Sequence, residues 1–374
     1  MFVRPLPHHP EGLMATTTTA SGPAPERLRR ISLTQRLLAK PAAGALVIVV
    51  FVWLVFAVLS SVNNHGGGLP AFLDLPGTLG YLDVAAQVGI IGTAVALLMI
   101  AGEFDLSVGS MVGFAGIVIG ICATIWGLPI WLSILISMVL TTGLGAVNGI
   151  IVVRTGLPSF IVTLATLFII AGLSSVLTSI VTNITYIPIA PDRIAADPIA
   201  GFFNWKLSIP WNGQTADFQV SLLWWVVIAA IGAYVLGRRR FGNWIAGVGG
   251  SPIAARNLGV PVARVKITLF ATTAFSASVL AAIQSMRFSS ADILRGGGME
   301  LTAITTAVIG GCLLTGGYGS VAGTALGALA LGMAQIGIVF ASINADWNKI
   351  ATGGLLLTAV VLNNWIRRRF AGLR

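Results

Sequence analysis

Long apolar stretches without a charged side chain recur along this sequence and leave few folds open to it. The first stretch, 42–62, holds 21 uncharged residues in a row, and an α-helix needs about 20 apolar residues to cross a bilayer. Only 9% of all residues are charged, against roughly a quarter in a soluble domain. The sequence therefore predicts an all-α polytopic membrane protein and argues against a water-soluble enzyme with a single core.

Nine further apolar stretches follow, bounded by charges, prolines or glycine clusters. They lie at about 84–101, 106–126, 129–153, 159–180, 220–236, 267–286, 301–314, 321–342 and 350–363. With the first stretch they predict about ten transmembrane helices in one transmembrane domain, 42–365. The segment 1–41 is interpreted as a disordered or amphipathic tail with Met1 or Met14 as its start, and 366–374 as a basic tail.

The basic residues are distributed unevenly between the two sides of the predicted membrane domain. Ten spans place both termini on one side, and 17 of the 22 Lys and Arg residues then lie on that side, against five on the other. Because basic loops are retained in the cytoplasm, both termini are predicted to be cytoplasmic. The net charge of +10 then reflects membrane topology, and we expect no binding of nucleic acid.

Two predicted loops are longer than a connection between spans requires. The outer loop, 181–219, carries prolines and aromatic residues and is interpreted either as a docking surface or as a lid. The cytoplasmic coupling loop, 237–266, contains a predicted helix at Pro252–Leu258, with Ser251 as its N-cap and Gly259 at its end. Such a helix favours contact with a cytoplasmic partner; the alternative is a helix that lies on lipid.

The chain lacks the residues that catalysis would need. All three histidines fall outside the predicted spans, and the sequence contains no zinc motif. No lysine follows a glycine, so there is no phosphate-binding Gly-Lys-Ser/Thr loop. We therefore expect no catalytic residue, no metal site and no cofactor in this chain, and no ATP hydrolysis by the chain itself.

The string AGEFDLSVGS interrupts an apolar run and predicts a broken helix near 102–107. Gly102 can end one helix, and Asp105 or Ser107 can cap the next one. The string is either a cytoplasmic turn with a capping carboxylate or a broken helix that faces a polar cavity. Asp105 is expected to matter more than Glu103, because Asp105 lies just before the second helix.

A second interruption, LTGGYGSVAGT, predicts a broken helix near 315–320. Placing Gly102 on Gly316 pairs several further residues, as in transporters built from duplicated halves with a binding site between them. Glycine is also common in this chain, with 45 residues, and chance pairing is the alternative. Gly316 and Gly317 join the first string as candidate helix-break or gating residues.

Five polar side chains lie at the depth of the predicted spans. They are Asn148, Thr163, Thr166, Gln284 and Gln335. Each one is either an interhelical hydrogen-bonding residue or part of a translocation path, and the sequence leaves both interpretations open.

At these motifs the chain resembles the permease subunits of bacterial ATP-binding-cassette importers for monosaccharides, the ribose, xylose and galactose type. The resemblance is carried by AGEFDLSVGS (101–110), NGIIVVRTGLPSFIVTLAT (148–166), GGSPIAARNLGVPVARVKI (249–267) and TAVIGGCLLTGGYGSVAGTALGALALG (306–332). It covers about 42–365 in the same order. Where many members have Gly-Gly-Ile-Asp, this chain has Gly102, Glu103, Phe104 and Asp105.

The resemblance implies a permease subunit, not an enzyme, that imports a monosaccharide or related small polyol across the bacterial inner membrane by alternating access. It implies ten helices surrounded by lipid, a second permease subunit in a homodimer or heterodimer, a periplasmic sugar-binding protein, and a cytoplasmic ATPase that binds ATP and Mg²⁺. It also implies that the predicted inner helix contacts this ATPase through Pro252, Ala254, Ala255, Arg256, Leu258 and Gly259. The alternative is an ion-coupled secondary transporter, which would more typically bury acidic, lysine or histidine side chains in its spans.

Overall fold

The computed structural model describes residues 41–64 and 68–370, with the side chains of 42–64 and 68–362. The tail predicted for 1–41 therefore lies, but for its last residue, outside the described residues, and so do the last four residues of the chain. The helices of the first half are α1 (Pro41–Val62), α2 (Leu75–Ile100), α3 (Val108–Gly120), α4 (Ile130–Thr155) and α5 (Ser159–Thr182). One turn of π-helix, Ile121–Ile125, extends α3.

The outer segment between α5 and the second half is folded. It contains the strands and short helices β1 (Tyr186–Pro188), α6 (Pro191–Ala196), α7 (Pro198–Phe203), β2 (Lys206–Trp211) and β3 (Gln214–Gln219). β2 and β3 form an antiparallel hairpin. At the base of that hairpin, hydrogen bonds from Lys206 and Ser208 hold the pKa of Asp217 below its usual range. Segment 181–219 is thus an ordered cap on the outer ends of the helices.

The second half continues with eight elements. They are α8 (Val220–Arg238), α9 (Arg240–Gly250), α10 (Pro252–Asn257), α11 (Val262–Arg287), β4 (Ser290–Asp292), α12 (Met299–Ile309), α13 (Val321–Phe340) and α14 (Trp347–Phe370). Since α14 runs to Phe370, the predicted basic tail begins inside a helix. Its arginines are good helix formers, and nothing in the sequence stops the helix before them.

Each of the ten predicted stretches contains a helix, and the all-α polytopic fold is confirmed. Eight of the described helices are long and apolar enough to cross a membrane, counting α3 with its π-helical turn. The other two are α12, with 11 residues, and the apolar part of α14, Trp347–Leu362. A count of ten spans remains a prediction.

The helices differ in how far they are buried. Most of α2, α3 and α11 lies inside the bundle, whereas most of α5 and α8 is exposed on its periphery. The peripheral helices present large apolar side chains such as Phe168 and Ile180 to the outside. Polar groups on α2, α3 and α11 therefore lie inside protein, and neighbouring helices must supply their hydrogen-bond partners, because lipid chains offer none.

The predicted start of the second span, residue 84, is wrong by nine residues, because α2 begins at Leu75. Asp74 caps it, with a carboxylate oxygen that accepts from the Leu75 amide at 2.9 Å, and a proline follows in the first turn. These start signals precede the apolar run. The earlier start places Asp83 within the helix rather than in the loop before it.

Loops that the ten-span prediction assigns to one side contact each other. On the inner side, the Gly317 amide donates to the Ile100 carbonyl at 2.8 Å. On the outer side, β1 pairs antiparallel with β4. Each of these contacts joins two loops that the prediction assigns to the same side, as the ten-span topology requires.

The predicted eighth span, 301–314, is only partly helical. After β4 the chain passes along α3 without forming a helix: a Cβ placed on Gly113 would lie 2.7 Å from the Ile293 carbonyl oxygen, and one on Gly109 would lie 2.7 Å from that of Gly296. Gly109 belongs to the first turn of α3. The segment 293–298 therefore runs along α3 toward the first turn of that helix before α12 begins, which explains why α12 is short.

Candidate functional site at the broken helices

The first predicted helix break is confirmed. α2 ends at Ile100 and α3 begins at Val108, and the intervening residues 101–107 are called break 1 here. Gly102 adopts φ +83°, a left-handed conformation that favours glycine. It turns the chain out of α2.

Most of break 1 is buried among helices, whereas Gly102 is exposed. Asp105 and Ser107 are 0% exposed, and Ser107 Oγ accepts a hydrogen bond from Asn148 Nδ2 at 2.9 Å. Asn148 precedes the end of α4, Thr155, by seven residues, which is about 10 Å along a helix. The capping carboxylate of the first alternative is present, since Asp105 accepts from the Ser107 amide. The polar cavity of the second alternative stays a prediction.

Asp105 is the centre of a network that joins three parts of the chain. Its Oδ1 accepts from the Ser107 amide at 2.9 Å and from Ser107 Oγ at 2.6 Å. Its Oδ2 accepts from Thr273 Oγ1 of α11 at 2.6 Å. Ser107 occupies the N-cap position of α3 without making a side-chain cap bond, so Asp105 supplies the carboxylate that the free amide needs. Through Ser107 the network reaches Asn148 of α4.

Replacing Asp105 by alanine should lower the stability of the folded protein by about 1–3 kcal/mol, because buried donors would lose their acceptor. Asp105→Asn keeps one acceptor oxygen and should be milder. Thermal unfolding of purified protein in detergent would measure both effects. A matched control is Asp292→Ala, since Asp292 Oδ1 accepts from the amide two residues on at 2.8 Å in an exposed turn, and we expect a change within about 0.5 kcal/mol. Equal damage from Asp105→Asn and Asp105→Ala would instead assign the role to the charge.

The second break is longer than predicted. α12 ends at Ile309, five residues before the predicted end of the span at 314, and α13 begins at Val321; residues 310–320 are called break 2 here. Gly310 and Gly311 end α12 early because paired glycines disfavour helix. Ser320 caps α13, with its Oγ accepting from the Gly323 amide at 3.0 Å.

The two breaks and the end of α9 meet through glycine backbones. A Cβ placed on Gly249 would lie 1.8 Å from the Ile100 carbonyl oxygen and 2.5 Å from the Gly317 nitrogen. One placed on Gly316 would lie 2.7 Å from Gly102 Cα. Gly102, Gly249, Gly316 and Gly317 are together called the glycine contact here. Three of these residues were predicted as candidates, and Gly249 was not.

The short helix predicted in the coupling loop is confirmed as α10. Ser251 Oγ accepts from the Ala254 amide at 3.3 Å, Leu258 follows as the C-cap, and Gly259 ends the turn with φ +82°. The helix is one residue shorter than predicted. Ile253 and Leu258 are exposed by 77% and 84%, so α10 carries an apolar surface next to the glycine contact. The coupling role assigned to Pro252, Ala254, Ala255, Arg256, Leu258 and Gly259 stays a prediction.

An ion pair that the sequence did not predict joins break 1 to the far end of the coupling loop. Lys266 in α11 pairs with Glu103, and the two side chains are only 17% and 10% exposed. The residues are 163 positions apart in the chain, and no local pattern in a single sequence relates them.

The five polar residues predicted at span depth do not gather at one place. Asn148 contacts break 1, and Thr163 Oγ1 reaches the Phe104 carbonyl at 3.4 Å. Thr166 Oγ1 donates to the Val162 and Thr163 carbonyls of its own helix, and Gln335 is half-buried on α13. Gln284 lies near the outer end of α11 and donates to Gln87 Oε1 at 2.9 Å. Their role in a translocation path stays a prediction.

An outer polar cluster joins α2, α8 and α11. Its members are Asp83, Gln87, Ser221, Gln284 and Arg287. Asp83 accepts from Arg287 Nη1 at 2.5 Å, from Ser221 Oγ at 2.5 Å and from Gln87 Nε2 at 3.2 Å. Sequence reasoning missed this cluster because the predicted start of the second span left Asp83 outside the helix.

Residues 77–360 match the family whose model is described as a branched-chain amino acid transport system / permease component. The fructose import permease protein FrcC of Rhizobium meliloti is 30% identical over 360 residues, which cover 95% of this chain and 94% of that protein. The xylose transport system permease protein XylH of Escherichia coli K12 is 29% identical over 350 residues, 80% of this chain and 87% of that protein. The probable ABC transporter permease protein YphD of the same organism is 28% identical over 326 residues, 87% of this chain and 90% of that protein.

No solved structure matches the chain. The family match includes both helix breaks, the coupling loop and the outer polar cluster, and the relatives are similar over most of their length. The resemblance to monosaccharide permeases of ATP-binding-cassette importers is confirmed, and the chain belongs to this family of transporter permease components.

Proposed function

We propose that this chain is the transmembrane permease subunit of an ATP-binding-cassette importer that moves a monosaccharide or related small polyol across the bacterial inner membrane. The glycine contact carries this proposal. It places the loop that would meet a cytoplasmic ATPase directly against two helix breaks inside the membrane domain. A transporter of this kind needs such a connection between an external motor and the helices that open and close.

The geometry suits alternating access at the breaks. Gly249 leaves no free space against the Ile100 carbonyl and the Gly317 amide, so a movement of α9 toward them must displace the end of α2 and break 2 together. Breaks in membrane helices are tolerated where other helices satisfy the free backbone groups, as Asp105 does for α3. Displacing break 1 would change how α3 packs against α11, because Asp105 is bonded to Thr273 of α11.

The energy must come from a partner chain, because this sequence has no phosphate-binding loop. ATP and Mg²⁺ would then be bound by a cytoplasmic ATPase at α10. The positive-inside bias of the sequence supports a cytoplasmic position for α10. A periplasmic binding protein would dock on the ordered outer cap, whose exposed aromatic side chains include Phe202 and Trp205. A second permease subunit, identical or not, would complete the transporter.

Two substrate classes follow from the comparisons, and the site favours one. The family description mentions branched-chain amino acids, whereas relatives are named for fructose and xylose. Around Asp105 the polar side chains are hydroxyls and an amide, and both carboxylates of break 1 already have partners: Asp105 is hydrogen bonded to Ser107 and Thr273, and Glu103 is paired with Lys266. This chemistry suits a neutral polyol better than a zwitterion, whose two charges would need opposite charges at membrane depth. Uptake of labelled fructose, xylose, ribose and leucine by the complete system would distinguish the two classes.

The energy source separates the proposal from a secondary transporter. Uptake by vesicles with the complete system should stop when the partner ATPase loses its phosphate-loop lysine. It should persist after a protonophore collapses the proton gradient, provided that ATP is maintained. Accumulation by this chain alone, driven by an imposed proton or sodium gradient, would contradict the proposal and support an ion-coupled transporter.

A further inference from the structure

Break 1 is attached to the coupling loop on both sides of α10. Before α10, Gly249 lies against the carbonyl of Ile100, the last residue of α2, and its Cα would lie 3.6 Å from a Cβ placed on Gly102 of the break. After α10, Lys266 pairs with Glu103 in the middle of the break. The loop that would receive the ATPase movement therefore reaches the same seven-residue segment through two contacts of different kinds.

The two contacts differ in the direction of movement that they can transmit. Backbone atoms in van der Waals contact repel each other when they approach, but their attraction is weak when they separate. An ion pair with little access to water resists separation, because parting the charges leaves each of them buried without a partner. The contact at Gly249 can therefore displace break 1 when α9 approaches it, and the ion pair can draw the break back when α11 retreats.

The position of Glu103 extends its effect to the Asp105 network. Only Phe104 separates the two acidic residues, and the Phe104 amide is held by Ser159 Oγ at 3.0 Å. A displacement of Glu103 must therefore rotate or shift Asp105. Asp105 in turn is bonded to Thr273 of α11 at 2.6 Å.

We propose that the Glu103–Lys266 ion pair is a positioning pair that returns break 1 to its resting place in each transport cycle. This inference rests on the proposed function. Neither residue needs to touch the solute. Without the pair, the ATPase would still displace break 1 through Gly249, but the return would no longer follow the coupling loop, and ATP would be hydrolysed without import.

The test uses the complete importer, with its ATPase and binding protein, in proteoliposomes. The variants are Glu103→Gln, Lys266→Met and the charge exchange Glu103→Lys with Lys266→Glu. Two quantities are measured: the number of ATP molecules hydrolysed per solute imported, and the midpoint of thermal unfolding. We expect each single substitution to raise the ATP-to-solute ratio at least about fivefold, and the charge exchange to bring it back toward the wild-type ratio.

A matched control is Arg287→Met, which breaks the Asp83–Arg287 pair of the outer polar cluster; it should lower the unfolding midpoint and leave the ratio unchanged. If the buried pair is merely structural, the single variants will unfold at a lower temperature, but the folded protein will keep the wild-type ATP-to-solute ratio. This result would overturn the inference. If the single variants fail to insert, the ATP-to-solute ratio is measured on the charge-exchange variant and on Glu103→Asp, because both keep the two charges. A folded charge-exchange variant that wastes ATP would also overturn the inference.

The outcome also separates this inference from the proposed function. If the wild-type complex imports no solute with ATP, the proposed function fails. If the wild type imports normally and the ion-pair variants do so with an unchanged ratio, only the role of the pair fails.

Discussion

Replacing Gly249 by alanine should prevent the membrane domain from reaching its native packing. The new Cβ would lie 1.8 Å from the Ile100 carbonyl oxygen and 2.5 Å from the Gly317 nitrogen, and both are backbone atoms that cannot turn aside like a side chain. Alanine in a helix favours folding over glycine by about 1 kcal/mol. Overpacking costs about 1–3 kcal/mol and occasionally more, and a clash with two backbone segments belongs at the upper end of that range. The clash should therefore outweigh the gain in helix propensity.

The neighbouring glycine provides the control. A Cβ on Gly250 would meet no atom within 4 Å, and Gly250 is the last residue of the same helix. Gly250→Ala should therefore be neutral or stabilising by at most about 1 kcal/mol. The yield of inserted protein and its thermal unfolding in detergent would measure both variants. If Gly249→Ala unfolds at the same temperature as Gly250→Ala, the close approach of α9 to the two breaks is incorrect.

Replacing Arg287 by methionine should destabilise the outer end of the bundle. Asp83 would keep its bonds to Ser221 and Gln87 but would lose its counter-charge while it remains buried. Removing one partner of a buried pair costs about 3–5 kcal/mol. We expect the lower end of this range, about 3 kcal/mol, because the Arg287 side chain is 30% exposed. Asp83→Asn should cost less, since the Arg287 guanidinium still lies over the Phe288 ring at 5.5 Å and can reach water.

Removing both partners tests the origin of this effect. Asp83→Asn combined with Arg287→Met should be more stable than Arg287→Met alone, because no uncompensated charge remains in the cluster. Lys206→Met, which breaks an exposed pair, should change stability by only about 0–1 kcal/mol. Denaturation in detergent would compare the two single variants of the cluster, the double variant and Lys206→Met. A double variant that adds the losses of its single substitutions would show that the charges act independently.

Hydropathy predicted where the membrane helices lie, because each must present apolar side chains over about 20 residues. It did not locate their ends as well. Asp74 starts α2 nine residues before the predicted position, and Gly310 and Gly311 stop α12 before the apolar run ends. Capping residues and glycine pairs decide these boundaries. Asp74 lies outside the predicted apolar stretch, and Gly310 and Gly311 lie inside one without lowering its hydropathy enough to end it.

The candidate site was predicted in part. Asp105 lies three residues after Gly102 and just before a helix, so its capping role could be inferred from local sequence. Its partner Thr273 is 168 residues away, and Lys266, the partner of Glu103, is almost as distant. Gly249 is one of 45 glycines, and only the fold shows which of them lie against another backbone. Contacts over such separations depend on helix packing and leave no pattern in a single sequence.

The course of segment 293–298 along α3 has a consequence for the order in which parts of the chain fold in the membrane. A backbone without helical hydrogen bonds is unstable in lipid, and here the glycine surface of α3 shields it, with Gly113 next to the Ile293 carbonyl. The ribosome completes α3 some 170 residues before this segment emerges, since synthesis runs from the N-terminus. α3 is thus in the membrane before segment 293–298, which depends on it, has been synthesised. The order of these two segments in the sequence therefore matches the order in which they can fold.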